Sequence, residues 1–112
     1  MEENTSFRGD TFFRTYECEY CNSDYIFQIG DILKVAFCKY GEKYLEKEIK
    51  VEEIKSKIEV TFSSEEMNRL DVGKYVLEAE LTTNNFTVTK QEKVEILEDN
   101  IRGGNNAEVE SI

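Results

Sequence analysis

Apolar and polar residues alternate most regularly in the segment Leu70–Leu97. Apolar residues take every second position of its first limb: Tyr75, Leu77, Ala79 and Leu81. The return limb has a second such row: Phe86, Val88, Val94 and Ile96. Successive side chains of a strand point to opposite faces, so the segment is predicted to be a β-hairpin with one core-facing row per strand. Asn84 and Asn85 favour a left-handed tight turn between the limbs, and the polar interval 90–93 indicates a bulge or an exposed edge.

Shorter alternating runs lie upstream of this hairpin. They are predicted strands and cover about residues 12–18, 33–39, 45–51 and 57–62. In the first run both parities carry aromatic residues, so the alternation does not show which face of this strand is buried. The run EKEIKVEEIKSK also fits an amphipathic helix, because Glu and Lys favour helices.

One short helix is predicted over about residues 63–70. Ser63 and Glu66 have the spacing of a capping box, in which each side chain accepts a hydrogen bond from the backbone N–H of the other residue. Met67 and Leu70 then share one face of the helix.

The composition is that of a single acidic domain. The chain has 112 residues, a formal net charge of −10 and no histidine. This charge argues against nucleic acid as a partner, because phosphate binding requires an excess of Lys and Arg. There is no apolar run long enough for a membrane span or a signal peptide. We therefore expect the protein to be made in the cytoplasm and not to associate with a membrane. We expect no catalytic residues, no metal and no cofactor.

Two motifs suggest chemistry but have simpler explanations. Cys18 and Cys21 have the spacing of a zinc or redox pair, yet the chain offers only Cys38 as a further soft ligand, so free thiols are expected. Arg8-Gly9-Asp10 matches an integrin-binding tripeptide, which acts only outside the cell, and a glycine hinge before the first strand is expected instead.

A pair of carboxylates also falls on one predicted strand face. Glu78 and Glu80 are separated by about 7 Å in strand geometry, close enough to bind a cation or act as acid and base. Nothing in the pattern predicts a cleft around them. An exposed acidic face is therefore the expectation.

The order of several short motifs resembles a known family. Gly9 and Asp10 open the first strand, Gly30 and Asp31 precede the strand LKVAFCK, and Leu70-x-x-Gly73-x-Tyr75 opens the hairpin. This order is similar to the N-terminal domain of phage baseplate upper proteins (the BppU-like group) and related tail or prophage structural proteins. The chain departs from the family pattern at Met67, where relatives often carry Thr, and at Asn85, where Gly often closes the hairpin.

The resemblance implies an all-β fold, an immunoglobulin-like antiparallel β-sandwich over residues 7–97. It implies a non-enzymatic structural protein of a phage or phage-tail-like particle, present in several copies or as a homo-oligomer and bound to other particle proteins. Residues 1–6 and 98–112 are expected to be a flexible arm and a flexible tail that bind neighbouring proteins. The residues expected to make these contacts are Met1, Glu2, Glu3, Asn4, Thr5, Ser6, Ile101, Arg102, Val109 and Ile112.

Three other functions are compatible with the same sequence. A capsid decoration or adaptor protein would use the same fold. A host-encoded regulatory β-sandwich could inhibit an enzyme or mimic DNA through its acidic charge, although that charge is interleaved with lysines. An enzyme is the third alternative.

Overall fold

The computed structural model describes residues 3–99, and this part of the chain contains nine strands and one short helix. The strands are β1 (Glu3–Phe7), β2 (Phe12–Tyr16), β3 (Cys18–Tyr20), β4 (Ser23–Tyr25), β5 (Ile32–Lys39), β6 (Glu42–Lys50), β7 (Ile58–Phe62), β8 (Gly73–Thr82) and β9 (Thr87–Leu97). The helix is α1 (Ser64–Met67). The predicted all-β class with one short helix is confirmed.

Two sheets enclose the core in a sandwich-like arrangement. The larger sheet has the strand order β1-β9-β8-β5-β6, the second sheet pairs β2 with β7, and β3 and β4 form a separate hairpin. Neighbouring strands are antiparallel except β1, which runs parallel to β9. The Phe37 ring lies 5.1 Å from both Phe12 and Phe62, so aromatic edge contacts join the two sheets through one core.

The predicted hairpin is confirmed. Strands β8 and β9 pair in an unbroken antiparallel register from Thr82 opposite Thr87 to Gly73 opposite Ile96. The expected core-facing row of β8 is buried: Tyr75, Leu77, Ala79 and Leu81. Because the register is unbroken, the polar interval 90–93 is a strand segment rather than a bulge. Lys90, Gln91 and Lys93 are exposed, whereas Glu92 is half-buried.

The turn of this hairpin differs from the prediction. Neither Asn84 nor Asn85 has a positive φ. The Thr83 hydroxyl instead accepts hydrogen bonds from the backbone N–H groups of Asn85 and Phe86, and the Thr83 N–H donates to the Phe86 carbonyl. The threonine side chain thus orders a longer loop that needs no left-handed residue.

Left-handed residues close the two other hairpins. Cys21 and Asn22 have φ values of 54° and 63° between β3 and β4, and Tyr40 and Gly41 have 54° and 77° between β5 and β6. Two consecutive positive φ angles match the right-handed twist of the flanking strands.

The capping box of the helix is confirmed. Ser63 and Glu66 exchange the expected side-chain-to-backbone hydrogen bonds, at 2.9 and 3.1 Å. The Lys47 ammonium lies 2.9 Å from the Glu66 carboxylate. The bond from the Ser63 N–H, followed by the contact with Lys47, lowers the pKa of Glu66. The cap therefore also ties α1 to β6.

Two predictions about element boundaries are resolved. The run EKEIKVEEIKSK forms the end of β6 up to Lys50 and then an irregular segment, so the helical alternative is wrong. Residues 3–6, which the sequence assigns to a flexible arm, belong to β1. Backbone pairing with the end of β9 holds them, from Glu3 opposite Lys93 to Phe7 opposite Leu97, and this pairing needs no apolar side chain.

Candidate interaction surfaces

Of the residues expected to bind neighbouring proteins, the structure places four in strand β1, and the others lie outside the described residues. Asn4 and Ser6 are half-buried in β1 and Thr5 is exposed, whereas Glu3 is placed by its backbone pairing alone. These four residues serve the sheet of their own chain. The other residues expected to bind neighbours lie outside the described residues: Met1, Glu2, Ile101, Arg102, Val109 and Ile112.

An ionic cluster joins the two sheets beside β1. Arg14 of β2 donates from Nε and Nη2 to the Glu92 carboxylate of β9, at 3.1 and 2.8 Å. The Asn4 amide donates to the same carboxylate. The side chains of Arg14 and Glu92 are 31% and 17% exposed, so the pair is largely shielded from water. The cluster links β1, β2 and β9 where no backbone pairing within residues 3–99 connects β2 to β9.

The Arg8-Gly9-Asp10 tripeptide forms the turn between β1 and β2. The Arg8 guanidinium donates to the carbonyls of Leu70 and Asn68, at 3.0 and 3.1 Å. Gly9 has a φ of 83° and its carbonyl accepts a hydrogen bond from the Ser64 hydroxyl. The Arg8 side chain is thus engaged with the segment after α1, and the tripeptide has the structural role expected from the sequence rather than the shape of a free recognition loop.

Gly30 and Asp31 organise the entry to β5. Asp31 is 4% exposed, and its carboxylate accepts hydrogen bonds from the Tyr25 hydroxyl at 2.6 Å and the Gln28 N–H at 2.9 Å. Burial, followed by the bond to Asp31, raises the pKa of Tyr25 to about 12. Gly30 has a φ of 96°, a conformation that other residues rarely adopt. The pair therefore fixes the path of the chain into the central strand.

Leu70, Gly73 and Tyr75 fix the entry to β8. Leu70 and Tyr75 are buried, and the Tyr75 hydroxyl donates to the Asp71 carbonyl at 2.8 Å. A Cβ at Gly73 would lie 2.8 Å from the Lys39 ammonium, which itself lies 5.2 Å from the centre of the Tyr75 ring. A side chain at position 73 would displace this lysine from the aromatic ring.

The three cysteines are free thiols in separate settings. Cys21 is exposed in the β3–β4 turn, whereas Cys18 and Cys38 are half-buried. Burial raises the pKa of both half-buried thiols, and the neighbouring acids Asp31 and Glu78 respectively raise them further. A reactive dithiol requires a lowered thiol pKa, so Cys18 lacks the electrostatic setting of one. A search of residues 3–99 finds no group of three or more His, Cys, Asp or Glu residues placed to hold a metal.

Glu78 and Glu80 lie on the face of β8 that points away from the core. Gln91 donates from Nε2 to Glu78 at 2.7 Å, and Glu80 lies between Lys34 and Thr89 in the sheet register. Glu78 lines a shallow depression of about 250 Å³ together with Lys43 and Gln91, and Glu80 is not among its lining residues, so this depression does not bring the two carboxylates together.

The sandwich is incomplete on one side, which we call the open side. The outer edge of β2 has no partner strand within residues 3–99, and neither does the outer edge of β9 over Thr87–Glu92. A groove of about 150 Å³ lies there. Most of its lining is apolar and includes Tyr16, Cys18, Phe27, Leu33, Leu81 and Val88, and three charged residues, Glu17, Glu19 and Lys90, also line it.

The exposure of Val88 is a consequence of this incomplete side of the sandwich. Its side chain has the same parity as Val94 and Ile96, which are 1% and 0% exposed, yet Val88 is 43% exposed. The alternation predicts that all three are core residues, and it does not predict that a groove exposes Val88. The available signal is the pair Lys90 and Glu92, two charged residues on the core-facing parity of the same strand.

A second depression, the outer-face pocket, lies at the other end of the larger sheet. It has a volume of about 240 Å³, and its lining includes Cys38, Tyr40, Val76 and three lysines, Lys39, Lys74 and Lys93. Within residues 3–99 none of these lysines forms a salt bridge. Glu95 also lines the pocket, so its charged lining consists of three lysines and one carboxylate.

Comparisons of the chain with protein-family models, curated proteins and solved structures find no match. No helix in the described part of the chain is long and apolar enough to cross a membrane.

Proposed function

We propose that the chain is a non-enzymatic assembly protein of a phage or phage-tail-like particle, and that it binds its neighbours through the open side of the sandwich. The observation that carries the binding mode is the combination of an unpaired strand edge with an apolar groove. The particle itself is proposed from the resemblance of the Gly9-Asp10, Gly30-Asp31 and Leu70-x-x-Gly73-x-Tyr75 motifs to the baseplate family.

Unpaired edges are suited to binding another extended chain. Thr87–Glu92 presents a row of backbone N–H and C=O groups beside the groove. An added strand satisfies such groups with main-chain hydrogen bonds, and its alternate side chains enter the pockets behind the edge. Val88 and the groove beneath it supply apolar surface for those side chains. Particles built from many protein copies use such contacts to join subunits.

The edge formed by β6, which also has no partner strand within residues 3–99, is less suited to strand addition. Strand β6 carries an ionisable side chain at most positions, including Glu42, Glu46, Glu48 and Lys50 on its exposed side. Charged residues on an edge discourage pairing with other strands. This contrast favours the open side over β6 as the binding surface.

The test begins with the organism that encodes the chain. Particles released from its cultures are separated on a density gradient and probed with an antibody to the protein, and immunogold labelling then locates the protein on them. We expect the protein to sediment with particles and to label the tail or baseplate. Its gene is expected to lie among sheath, tube and tape-measure genes. Absence of the protein from purified particles would contradict the proposal.

A matched pair of variants tests whether incorporation into particles depends on the open side. Val88 and Val72 have nearly equal exposures, 43% and 44%, but only Val88 lines the groove. Val88→Lys is expected to reduce incorporation into particles several-fold, whereas Val72→Lys is expected to leave it unchanged. Equal incorporation of the two variants would exclude the open side as the binding surface.

A further inference from the structure

A side-chain contact marks each end of the open side. At one end the Arg14–Glu92 pair bridges β2 and β9. At the other end the Tyr20 ring of β3 stacks on the Phe86 ring, with the two ring centres 3.9 Å apart. Between these contacts the edge of β9 runs over Thr87–Glu92, which is about 20 Å of strand. The length of this edge matches one short extended segment.

The backbone of β9 offers hydrogen bonds along this edge. The Leu97 carbonyl accepts a hydrogen bond from the Arg8 N–H at 2.8 Å, on the side where β1 lies. Peptide groups of alternate residues point to opposite sides of a strand, and the pairing of β9 with β8 is unbroken. Thr87, Thr89 and Gln91 therefore direct their N–H and C=O groups to this side, where no strand within residues 3–99 pairs with them. Each of them offers one donor and one acceptor to an added strand.

The groove behind the edge has room for one large apolar side chain. Its lining includes the buried residues Phe27, Leu33, Ala79 and Leu81, with Val88 at the edge. The volume is about 150 Å³, and an apolar cavity of about that size holds one benzene-sized molecule. A leucine, isoleucine or phenylalanine of a bound segment would fill it and cover Val88.

The charges at the rim of the groove are unevenly balanced. Three charged residues line it: Glu17, Glu19 and Lys90. The Lys57 ammonium lies 3.4 Å from the Glu17 carboxylate and balances that charge. Glu19 lies directly opposite Asp24 in the β3–β4 pairing, and neither forms a salt bridge within residues 3–99. Like charges directly opposite one another destabilise a strand pair, so a cation placed here would relieve a repulsion.

We propose that the open side binds an extended segment of another protein that carries one large apolar residue and, at its end next to Tyr20, a lysine or arginine. The inference rests on the proposed function and names the kind of segment that its surface takes. The apolar residue enters the groove beside Val88, and the cation lies near Glu19, where it also offsets Asp24. Lys90 forms no salt bridge within residues 3–99 and disfavours a second cation at the middle of the edge. The net charge of −10 attracts a basic segment and repels an acidic one at long range.

The first test selects binding peptides without assuming their sequence. Random octapeptides displayed on yeast are selected on the full-length chain, and the enriched peptides are then measured against two variants. We expect enriched peptides to carry a large apolar residue and a net positive charge. We expect them to bind about tenfold more weakly to Val88→Lys and equally well to Val72→Lys. No enrichment, enriched peptides without a positive charge, or equal binding to both variants would overturn the inference.

The second test reverses the charge at the assigned position. Glu19→Lys is expected to weaken binding of a selected basic peptide about tenfold and to favour the version in which Glu replaces its basic residue. Glu42→Lys is the control, because it makes the same change in net charge at an exposed carboxylate of β6. Fluorescence anisotropy of labelled peptides measures the affinities, and circular dichroism verifies that each variant is folded. An equal loss in the two variants would mean that only the overall charge acts, which would refute a cation beside Glu19.

The third test examines the backbone of the bound peptide. Single N-methyl groups are placed in turn on each residue of a selected peptide. We expect binding to be lost at alternate residues, whose N–H groups donate to the edge of β9, and retained at the residues between them. A loss without this two-residue period would contradict strand addition.

These results separate the inference from the proposed function. If incorporation into particles depends on Val88 but basic peptides do not bind the groove, the assembly function stands and the inference fails. If basic peptides bind as expected but the protein is absent from purified particles, the inference stands and the proposed function fails.

Discussion

Arg14 of β2 and Glu92 of β9 are joined by three hydrogen bonds: Nε donates to Oε1 at 3.1 Å and to Oε2 at 3.2 Å, and Nη2 donates to Oε2 at 2.8 Å. The two strands belong to different sheets and are not paired through their backbones. This side-chain bridge therefore holds the two layers together beside the open side.

A double-mutant cycle measures the strength of this bridge. Arg14→Met and Glu92→Gln are expected to show a coupling free energy of about 1–2 kcal/mol in urea unfolding, because charged hydrogen bonds shielded from water are worth more than exposed ones. Lys34 and Glu48 serve as the control, since they are 3.8 Å apart and about half exposed. Their coupling is expected to be at most about 0.5 kcal/mol. Equal coupling in the two pairs would show that the bridge does not stabilise the fold specifically.

Asp31 is the buried acceptor at the entry to β5. Asp31→Ala is expected to lower the free energy of unfolding by about 2–3 kcal/mol, because the Tyr25 hydroxyl and the Gln28 N–H then lose their acceptor. Asp24→Ala, at an exposed carboxylate of β4, is expected to change it by less than about 0.5 kcal/mol. Chemical denaturation measures the free energy of unfolding of both variants. A similar loss in the two variants would contradict a role for Asp31 in ordering this segment.

Phe12 and Phe13 are neighbours with opposite environments. Phe12 is 5% exposed and contacts the Phe37 and Phe62 rings, whereas Phe13 is 60% exposed. Phe12→Ala is expected to cost about 3–5 kcal/mol of stability through lost burial and a cavity, and Phe13→Ala less than about 1 kcal/mol. Thermal or urea unfolding tests this. The reverse order would mean that β2 has the opposite face toward the core.

Stability is expected to fall in alkaline solution. Burial, with Glu92 as the second cause, raises the pKa of Tyr16 to about 12, and the pKa of Tyr25 is also raised to about 12. Between pH 10 and pH 12 the folded chain therefore binds more protons than the unfolded chain, so raising the pH favours unfolding. Urea midpoints at pH 8, 10 and 11.5 measure the slope. Tyr16→Phe is expected to make it shallower, whereas Tyr40→Phe, at a ring 91% exposed, is the control.

The three thiols are expected to react at different rates. At pH 7.5 a thiol-specific disulfide reagent should modify exposed Cys21 first, and Cys18 and Cys38 at least tenfold more slowly, because burial raises the pKa of these two thiols. Cys21→Ser should abolish the fast phase, and full denaturation should expose all three sites. A fast phase that persists in Cys21→Ser and disappears in Cys18→Ser would instead indicate an activated thiol at Cys18.

Local chemistry accounts for much of the predicted fold. The capping box at Ser63 and Glu66 depends on residues three positions apart, and the row from Tyr75 to Leu81 depends on strand periodicity alone. Both are properties of short segments, so a single sequence contains them. The positive φ of Gly30 is also a local property, because glycine adopts this conformation more readily than other residues do.

Long-range contacts account for what the sequence left open or misassigned. Residues 3–6 form a strand because the end of β9, some 90 positions later, offers them an unpaired edge. Val88 has the pattern of a core residue but is half exposed, because no described strand covers that part of β9. The Asn84–Asn85 turn contains no positive φ, and the neighbouring Thr83 side chain supplies the hydrogen-bond acceptor that orders it.

The sequence by itself determined the class of fold and the faces of most strands, since alternation, turn residues and caps act between near neighbours. Only the tertiary structure decided which strands are joined and which edges have no partner strand among the described residues. Pairing between distant segments depends on the whole arrangement of the chain: Arg14 and Glu92 are 78 positions apart, and no local pattern links them. The open side is a consequence of that arrangement, and it is the surface on which the proposed function rests.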